Sequence, residues 1–268
     1  MSESTTSHEP TAEEAEAVAQ ERASLETSLQ LLWEGEPEAA RGPKRSLRLE
    51  QIVAEAVEIA DAEGLDAVSM RRLARELGVG TMSLYRYVPD KNVLLNLMIN
   101  DVFALTNRSQ VGIDKDWREA LRERAYADRE LYRRHFWLAS INWTRPVIGP
   151  NLIDSMEHLL DGMTDLPLTD KEKTMLLSSL DAYVLGAVRQ EIQSCVAAHE
   201  AGLTDNEFWY TQLPYLERAM ESGRYPVMAQ MDEDTWDGGW EQTFEMGIAF
   251  ILDGIAAEVA RRDQGKNA

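Results

Sequence analysis

The stretch SMRRLARELGVGTMSLYRYVPDK, residues 69–91, decides the fold of this chain. Ser69 is a residue type favoured at helix N-caps, and it predicts a short helix that continues through Leu77. The sequence Gly78-Val79-Gly80 predicts a tight turn, and a second short helix is predicted from Thr81 to about Tyr87. Two short helices joined by a glycine-containing turn are typical of the helix-turn-helix motif.

The neighbouring segments predict helices on both sides of this motif. Apolar residues at helical spacing predict a helix over residues 47–63 that stops at Gly64. Pro89 and Asp90 end the motif, and the next helix is predicted to begin near Lys91. The motif therefore has a longer helix before it and another after it.

The sequence pattern also predicts helices in the rest of the chain. Helices are predicted over 117–134, 137–143 and 150–160, and capping boxes begin two more at Thr169 and Thr204. A sustained apolar stripe from Phe244 to Val259 predicts the last helix. Because no stretch alternates with a period of two, the fold class is predicted to be all-α.

The second short helix carries the functional prediction. It presents hydroxyls, a guanidinium and two phenols within seven residues, while Leu84 and Val88 are expected to face inward. So many hydrogen-bonding side chains are costly to order unless a partner contacts them. The first short helix adds Arg71, Arg72 and Arg75 against Glu76 alone, so this part of an acidic chain is locally basic.

Residues 42–98 closely resemble the DNA-binding domain of the tetracycline-repressor (TetR) family, and residues 69–91 are the most specific part. Residues 244–255 resemble the last dimerisation helix of one TetR ligand-binding domain type. The resemblance covers most of residues 42–262. It is strong in the first quarter of that range and loose beyond it. It implies an N-terminal helix-turn-helix DNA-binding domain over 44–90, and a helical-bundle ligand-binding and dimerisation domain over 91–264.

By this resemblance the second short helix enters the major groove of DNA. The residues that this implies for base edges, with guanine suited to arginine and a thymine methyl to methionine, are Arg71, Thr81, Met82, Ser83 and Arg86. Phosphate contacts are implied for Ser69, Tyr85, Tyr87 and Lys91. Lys44 and Arg45 form an arm toward the minor groove or the backbone. Each has an alternative: Tyr85 packs, Lys91 is a solvated charge, and the arm is an ordinary linker.

Arg48 departs from the family pattern, in which a serine-type residue often caps the first helix of the head. The sequence leaves two interpretations open. The arginine weakens the cap by about 1 kcal/mol, or it adds a phosphate contact.

Residues 1–43 form an acidic N-terminal extension and linker. Residues 1–40 hold ten glutamates against Arg22 alone, and residues 1–24 are predicted to be a disordered tail. Leu25, Leu29, Leu32 and Trp33 predict a short helix over 25–33, either a marginal one without a role or one that docks on the folded body. The acidic extension is also expected to repel non-specific DNA.

The C-terminal domain is expected to hold a large, mostly apolar or aromatic effector. The candidate ligand-binding residues are Trp137, Ile141, Trp143, Met156, His158, Met175, Tyr183 and Arg189, with His158 and Arg189 as polar anchors. The alternative is that these bulky residues are plain core. A metal-assisted site is not expected, because none of the four histidines has ligand-like spacing to another.

Composition excludes several classes of protein. The net charge is −20, no apolar run reaches the ~20 residues of a membrane span, and the polar N-terminus is not a secretory signal. With one cysteine, a disulfide framework is excluded and a cytoplasmic location is expected. Cys195 and His199 share a helical face, but flanking glutamates and the apolar stripe favour a buried structural cysteine over a nucleophile. No enzyme activity and no cofactor are expected.

These observations predict a ligand-responsive transcriptional regulator. The expected form is a homodimer through the last two long helices, bound to a near-palindromic double-stranded DNA operator and released by the effector, which favours repression. The alternative is a helical partner-binding protein without a ligand response. Steep salt dependence of binding would distinguish DNA from a protein partner.

Overall fold

The computed structural model describes residues 11–36, 47–108, 116–236 and 239–266. The structure is 79% helical, and the described residues contain no strand, which confirms the all-α prediction. The chain folds as two compact units. The first contains the described residues of 1–110 and 140–157, and the second those of 111–139 and 158–268.

The described residues of the first unit form five helices, a 3₁₀ turn and the start of a further helix. Its helices are α1 (Ala12–Glu34), α2 (Leu49–Glu63), α3 (Met70–Glu76), α4 (Thr81–Leu84) and α5 (Lys91–Arg108), with a 3₁₀ turn at Leu65–Ala67. Helix α7 (Pro150–Gly162) begins in this unit and ends in the second.

The core of the first unit joins the helix-turn-helix to its two flanking helices. Ile52 of α2, Leu73 of α3, Leu84 of α4 and Val93 of α5 are completely buried. They lie on the apolar faces that the sequence pattern predicts, so burial of these faces holds the short helices in place. Such short helices depend on this packing, because isolated helices of their length are not stable.

The N-terminal extension is ordered over much of the segment predicted to be a tail. Helix α1 begins at Ala12 behind a capping box formed by Thr11 and Glu14, so the prediction of a disordered tail is wrong over 12–24. Residues 25–33 are helical as predicted, but they are the end of a longer helix. Residues 1–10 lie outside the described residues. The prediction of a tail gave too little weight to helix formers such as alanine and glutamate, which favour a long helix here.

Helix α1 docks on α5 through its small polar residues. Ser24 and Ser28 are buried, and Ser28 Oγ accepts a hydrogen bond of 3.0 Å from Asn96 of α5. Ser24 Oγ donates to Asp90 Oδ2 at 2.5 Å, and Asp90 Oδ1 accepts from the backbone N–H of Val93, which caps α5. The docking interpretation is therefore confirmed, but Leu25 and Leu29 of the predicted apolar face remain exposed.

The end of α1 reaches two further parts of the first unit. The indole N–H of Trp33 donates to the carbonyl of Ile148 at 3.2 Å. Glu36, just after the helix, accepts a hydrogen bond of 2.8 Å from the backbone N–H of Leu49 at the start of α2. Helix α1 thus straps together α2, α5 and the segment before α7.

The second unit is a bundle of longer helices. Its elements are α6 (Trp117–Arg134), a 3₁₀ turn (Phe136–Ser140), α8 (Asp170–Ala201), α9 (Asp205–Glu221), α10 (Trp240–Lys266) and 3₁₀ turns at Met228–Gln230 and Glu233–Trp236. The capping boxes of Thr169 and Thr204 are both formed, as predicted. The predicted helix over 137–143 is only the 3₁₀ turn.

The buried face of α8 ends before its only cysteine. Leu177, Leu180, Val184 and Val188 are its buried residues, and none follows Val188. Cys195 is exposed, so the prediction of a buried structural cysteine is wrong. Its place on the apolar stripe does not bury it, because the residues after Val188 are at most half-buried.

Candidate DNA-binding surface and effector site

The helix-turn-helix is fixed by local hydrogen bonds. Ser69 caps α3, with its Oγ accepting from the backbone N–H of Arg72 at 3.2 Å. Gly78 in the turn has φ of +66°, a conformation that favours glycine, and Val79 N–H bonds back to Ala74 O at 2.9 Å. The turn therefore sets the angle at which α4 leaves α3.

Helix α4 is buried on one side and open on the other. Leu84 and Val88 are completely buried, as predicted. Met82 is 77% exposed and Tyr85 43%, and Arg86 is also exposed, while Thr81 and Ser83 are half-buried. A row of large polar and apolar tips on a short helix is what a base-reading surface requires.

The arginines of α3 differ in how they are held. Arg72 is engaged by Glu63 at 2.8 Å and by Glu76 at 2.7 Å, and Arg75 pairs with Glu76 at 3.0 Å. The hydrogen bonds from Arg75 and Arg72 lower the pKa of Glu76. These carboxylates therefore offset the charge of two of the three arginines.

Arg71 and Arg86 remain as uncompensated charges on this surface. Both side chains are exposed, and neither forms an ion pair with any residue that the structure describes. A guanidinium without a carboxylate partner can bind guanine or a phosphate without first breaking a contact.

Two of the predicted phosphate-binding residues also have contacts within the protein. The Tyr87 hydroxyl donates to Leu47 O at 2.9 Å, and Lys91 Nζ donates to Leu65 O at 3.1 Å. Both contacts tie segments of the DNA-binding head together. The ammonium group of Lys91 has further N–H donors available for a phosphate, whereas the single O–H donor of Tyr87 is already used.

The hydrogen bonds at the start of α2 show how the helix is capped at Arg48. Gln51 accepts from the Arg48 N–H at 3.0 Å, and Glu36 accepts from the Leu49 N–H at 2.8 Å. Two other side chains therefore satisfy this helix end, and the exposed Arg48 side chain is available for another partner. Lys44 and Arg45 lie outside the described residues.

Three predicted ligand-binding residues lie in the first unit. Ile141 and Trp143 are half-buried, and Trp143 packs edge-on against Phe103 of α5 with ring centroids 5.9 Å apart. Met156 on α7 is 43% exposed.

The other five lie in the second unit. Trp137 is buried, His158 and Met175 are exposed, and Arg189 donates from Nε to Ala139 O at 2.6 Å. The Tyr183 hydroxyl donates to the carbonyls of α10 at Thr243 and Phe244, at 3.0 and 3.2 Å.

A buried polar cluster in the second unit was missed in the sequence. Arg124 and Asp128 of α6 are both buried, and Arg124 Nε donates to Asp128 Oδ2 at 2.5 Å. Asp128 Oδ1 is buried without a hydrogen-bond partner. Burial raises the pKa of Asp128, against the opposing effect of Arg124. In sequence these residues look like an ordinary surface pair at i,i+4 spacing, so no signal marked them.

Two open grooves run between α8 and α10. The first, of about 280 Å³, is lined by Tyr183, Gly186, Trp240 and Phe244. The second, of about 390 Å³, is lined by Met175, Leu176, Ile251, Ile255 and the ion pair of Glu172 with Arg262. Phe250 and Met246 of α10 are 68% and 51% exposed. These two helices thus leave an apolar face uncovered within the chain.

The described residues hold no group of three or more histidine, cysteine, aspartate or glutamate side chains that could bind a metal ion. Among the same residues, no helix is both long enough and apolar enough to cross a membrane.

Comparison with known proteins places these features in context. Residues 52–98 match the family profile "Bacterial regulatory proteins, tetR family", and residues 113–259 match "Tetracyclin repressor-like, C-terminal domain". The chain is 46% identical over 242 residues to the HTH-type transcriptional repressor DrrR1 of Streptomyces coeruleorubidus, an alignment covering 90% of this chain and 88% of the relative. It is 27% identical over 216 residues to the class D tetracycline repressor protein of Escherichia coli, covering 80% and 91%.

This chain is also similar in structure to a protein solved with a bound ligand. ActR of Streptomyces coelicolor, a TetR family protein solved in complex with actinorhodin, superposes with a TM-score of 0.65 at 27% identity. The superposition covers 80% of this chain and 99% of the ActR chain.

Proposed function

The chain belongs to the TetR family of DNA-binding transcriptional regulators, and from this premise we propose a homodimeric repressor that an effector releases from its operator. The observation that carries the proposal is the exposed surface formed by α4, the turn after it and α3. On this surface Arg86, just after α4, and Arg71 of α3 have no ion pairs with described residues. We propose the domain division of residues 1–43, 44–90 and 91–264 for the extension, the DNA-binding head and the ligand-binding and dimerisation domain.

The roles of individual residues follow from their surroundings. Arg86 and Arg71 are proposed to bind base edges or phosphates, and Met82 to contact a thymine methyl group. Tyr85 is exposed and free to reach a phosphate. Tyr87 is proposed to support the head, since its hydroxyl is already used by Leu47 O.

Dimerisation is proposed to use α8 and α10. These helices leave two grooves and the exposed side chains of Phe250, Met246 and Met175 uncovered. An apolar face of this kind is costly in water, and a second copy of the same face buries it in an isologous contact. Two DNA-binding heads would then reach half-sites about one helical turn apart.

The effector is proposed to be a large, mostly apolar or aromatic molecule. The ActR structure with actinorhodin supports this class, because that relative holds such a ligand on the same fold. Binding that favours one head spacing over another would lower DNA affinity by a coupling free energy of about 1–3 kcal/mol.

The test is fluorescence anisotropy of the full chain with DNA from its own upstream region, at several salt concentrations. We expect saturable binding whose affinity falls steeply with salt. Arg86→Ala is expected to weaken specific binding by about 1–3 kcal/mol. Arg22→Ala is the matched control, since it removes an equal charge from an exposed pair on α1. Weak salt dependence, or equal effects of the two variants, would favour the partner-binding alternative.

A further inference from the structure

The buried Asp128 presents one carboxylate oxygen with nothing to bind. Its side chain is 7% exposed, and Oδ2 is bonded to Arg124 one helical turn away. Oδ1 is buried and has no hydrogen-bond partner. Buried carboxylate oxygens are nearly always paired, so an unpaired one calls for a partner, either a water or a ligand.

The neighbourhood of Asp128 holds a second acidic residue. Tyr132 lies one turn further along α6 and is buried. Asp181 of α8 is exposed, and partial burial of its carboxyl together with the charge of Asp128 raises its pKa to about 6. The buried carboxylate of Asp128 therefore lies close enough to an exposed carboxylate on the neighbouring helix for their charges to interact.

The charges of these residues select the chemistry of a ligand. Arg124 is bonded to Oδ2 and favours the ionised form of Asp128. Because an ionised carboxylate only accepts hydrogen bonds, the group that completes Oδ1 must donate one. The second carboxylate, Asp181, disfavours an anion. A metal ion is not favoured either, because the described residues hold no set of three metal-binding side chains.

We propose that Asp128 anchors the effector by accepting a hydrogen bond at Oδ1 from a donor on an otherwise apolar ring system, either a phenolic hydroxyl or a protonated amine. The inference rests on the proposed function and adds the ligand's polar group to it. Arg124 is the positioning residue that holds the carboxylate. The site lies within the second unit and was not among the candidates named from sequence.

The test measures binding of three probes to the full chain by quenching of tryptophan fluorescence. The probes are anthraquinone, a dihydroxyanthraquinone and an aminomethylanthraquinone, which share a ring system and differ in the donor. We expect the wild-type protein to bind at least one donor-bearing probe about tenfold or more tightly than anthraquinone, as for a hydrogen bond to a charged acceptor. Which of the two binds more tightly distinguishes a hydroxyl from an amine.

Asp128→Asn should abolish this preference, because the amide oxygen keeps the bond from Arg124 and turns an N–H₂ donor toward the ligand. Its affinity for anthraquinone should not change. Asp161→Asn, on an exposed residue of α7, is the matched control and should keep the preference. If Asp128→Asn does not fold, Arg124→Met/Asp128→Leu removes both buried charges together and serves the same purpose.

Several results would overturn the proposal: no preference in the wild-type protein, no binding of any probe, or a preference that survives in Asp128→Asn. A changed melting temperature with three unchanged affinities would assign Oδ1 to a structural water instead. DNA binding is measured on the same samples. If the protein binds DNA, a failed probe test overturns only the proposed role of Asp128. If the wild-type protein does not bind DNA, the proposed function is overturned.

Discussion

Gly247→Ala tests the contact between α8 and α10. A Cβ at Gly247 would lie 2.0 Å from the hydroxyl oxygen of Tyr183 and 2.3 Å from Cζ. The Tyr183 ring cannot simply swing away, because its hydroxyl is bonded to two carbonyls of α10 and the ring stacks on Phe244 at 5.8 Å. The substitution therefore displaces the whole side chain.

The expected cost follows from three contributions. Overpacking costs about 1–3 kcal/mol, and loss of the tyrosine hydrogen bonds about 1 kcal/mol. Alanine regains about 1 kcal/mol of helix propensity over glycine. The sum is a loss of about 1–3 kcal/mol in the free energy of unfolding. The matched control is Gly265→Ala near the end of the same helix and away from the grooves, where a Cβ meets nothing within 4 Å and no loss is expected.

The assay is urea unfolding followed by circular dichroism, at one fixed protein concentration because an oligomer's stability depends on it. Combining Gly247→Ala with Tyr183→Ala should remove the penalty, giving a coupling free energy above about 0.5 kcal/mol. Equal stability of the Gly247→Ala and Gly265→Ala variants would refute the reasoning.

Three further predictions concern pH, the docked helix and charge. Arg262 lowers the pKa of Glu172 to about 2, so the ionised carboxylate stabilises the folded protein at pH 7. Glu172→Gln should therefore be less stable than wild type at pH 7, and the difference should vanish as the pH falls from about 4.5 toward 2. A difference in melting temperature that does not change with pH would contradict this. Ser28→Ala leaves the Asn96 amide without its partner, and hydrogen exchange in α1 should accelerate about tenfold while α2 is unaffected; exchange that is equally slow would show that the bond is dispensable. Replacing Glu13, Glu16 and Glu21 with glutamine should raise affinity for random-sequence DNA in anisotropy titrations at low salt, and unchanged affinity would refute the repulsion by the extension.

The features predicted from sequence are those determined by neighbouring residues. The capping boxes at Thr169 and Thr204 and the helix-turn-helix around Gly78 depend on contacts a few residues apart, and the structure confirms them. Hydrophobic spacing also identified Leu84 and Val88 as the inward side of α4.

The features that were missed depend on contacts between distant residues. Helix α1 docks through Ser24 and Ser28, which no hydrophobic pattern reveals, while the leucines that drew attention stay exposed. Asp128 becomes unusual only when the fold buries it beside Arg124. Cys195 shows the opposite error, since an apolar stripe predicts burial only where another helix covers it. The assignment of individual DNA and ligand contacts remains a prediction.

The strap formed by α1 limits how this regulator can be recombined with others. A chimera cut at residue 47 would transplant the head without the groups that meet Asn96, Asp90 and the first N–H of α2. The family profile for the head begins at residue 52, so a boundary chosen from it discards this helix. Biosensor designs that exchange DNA-binding heads should therefore carry residues 11–36 with the head, and treat the two segments as one cassette.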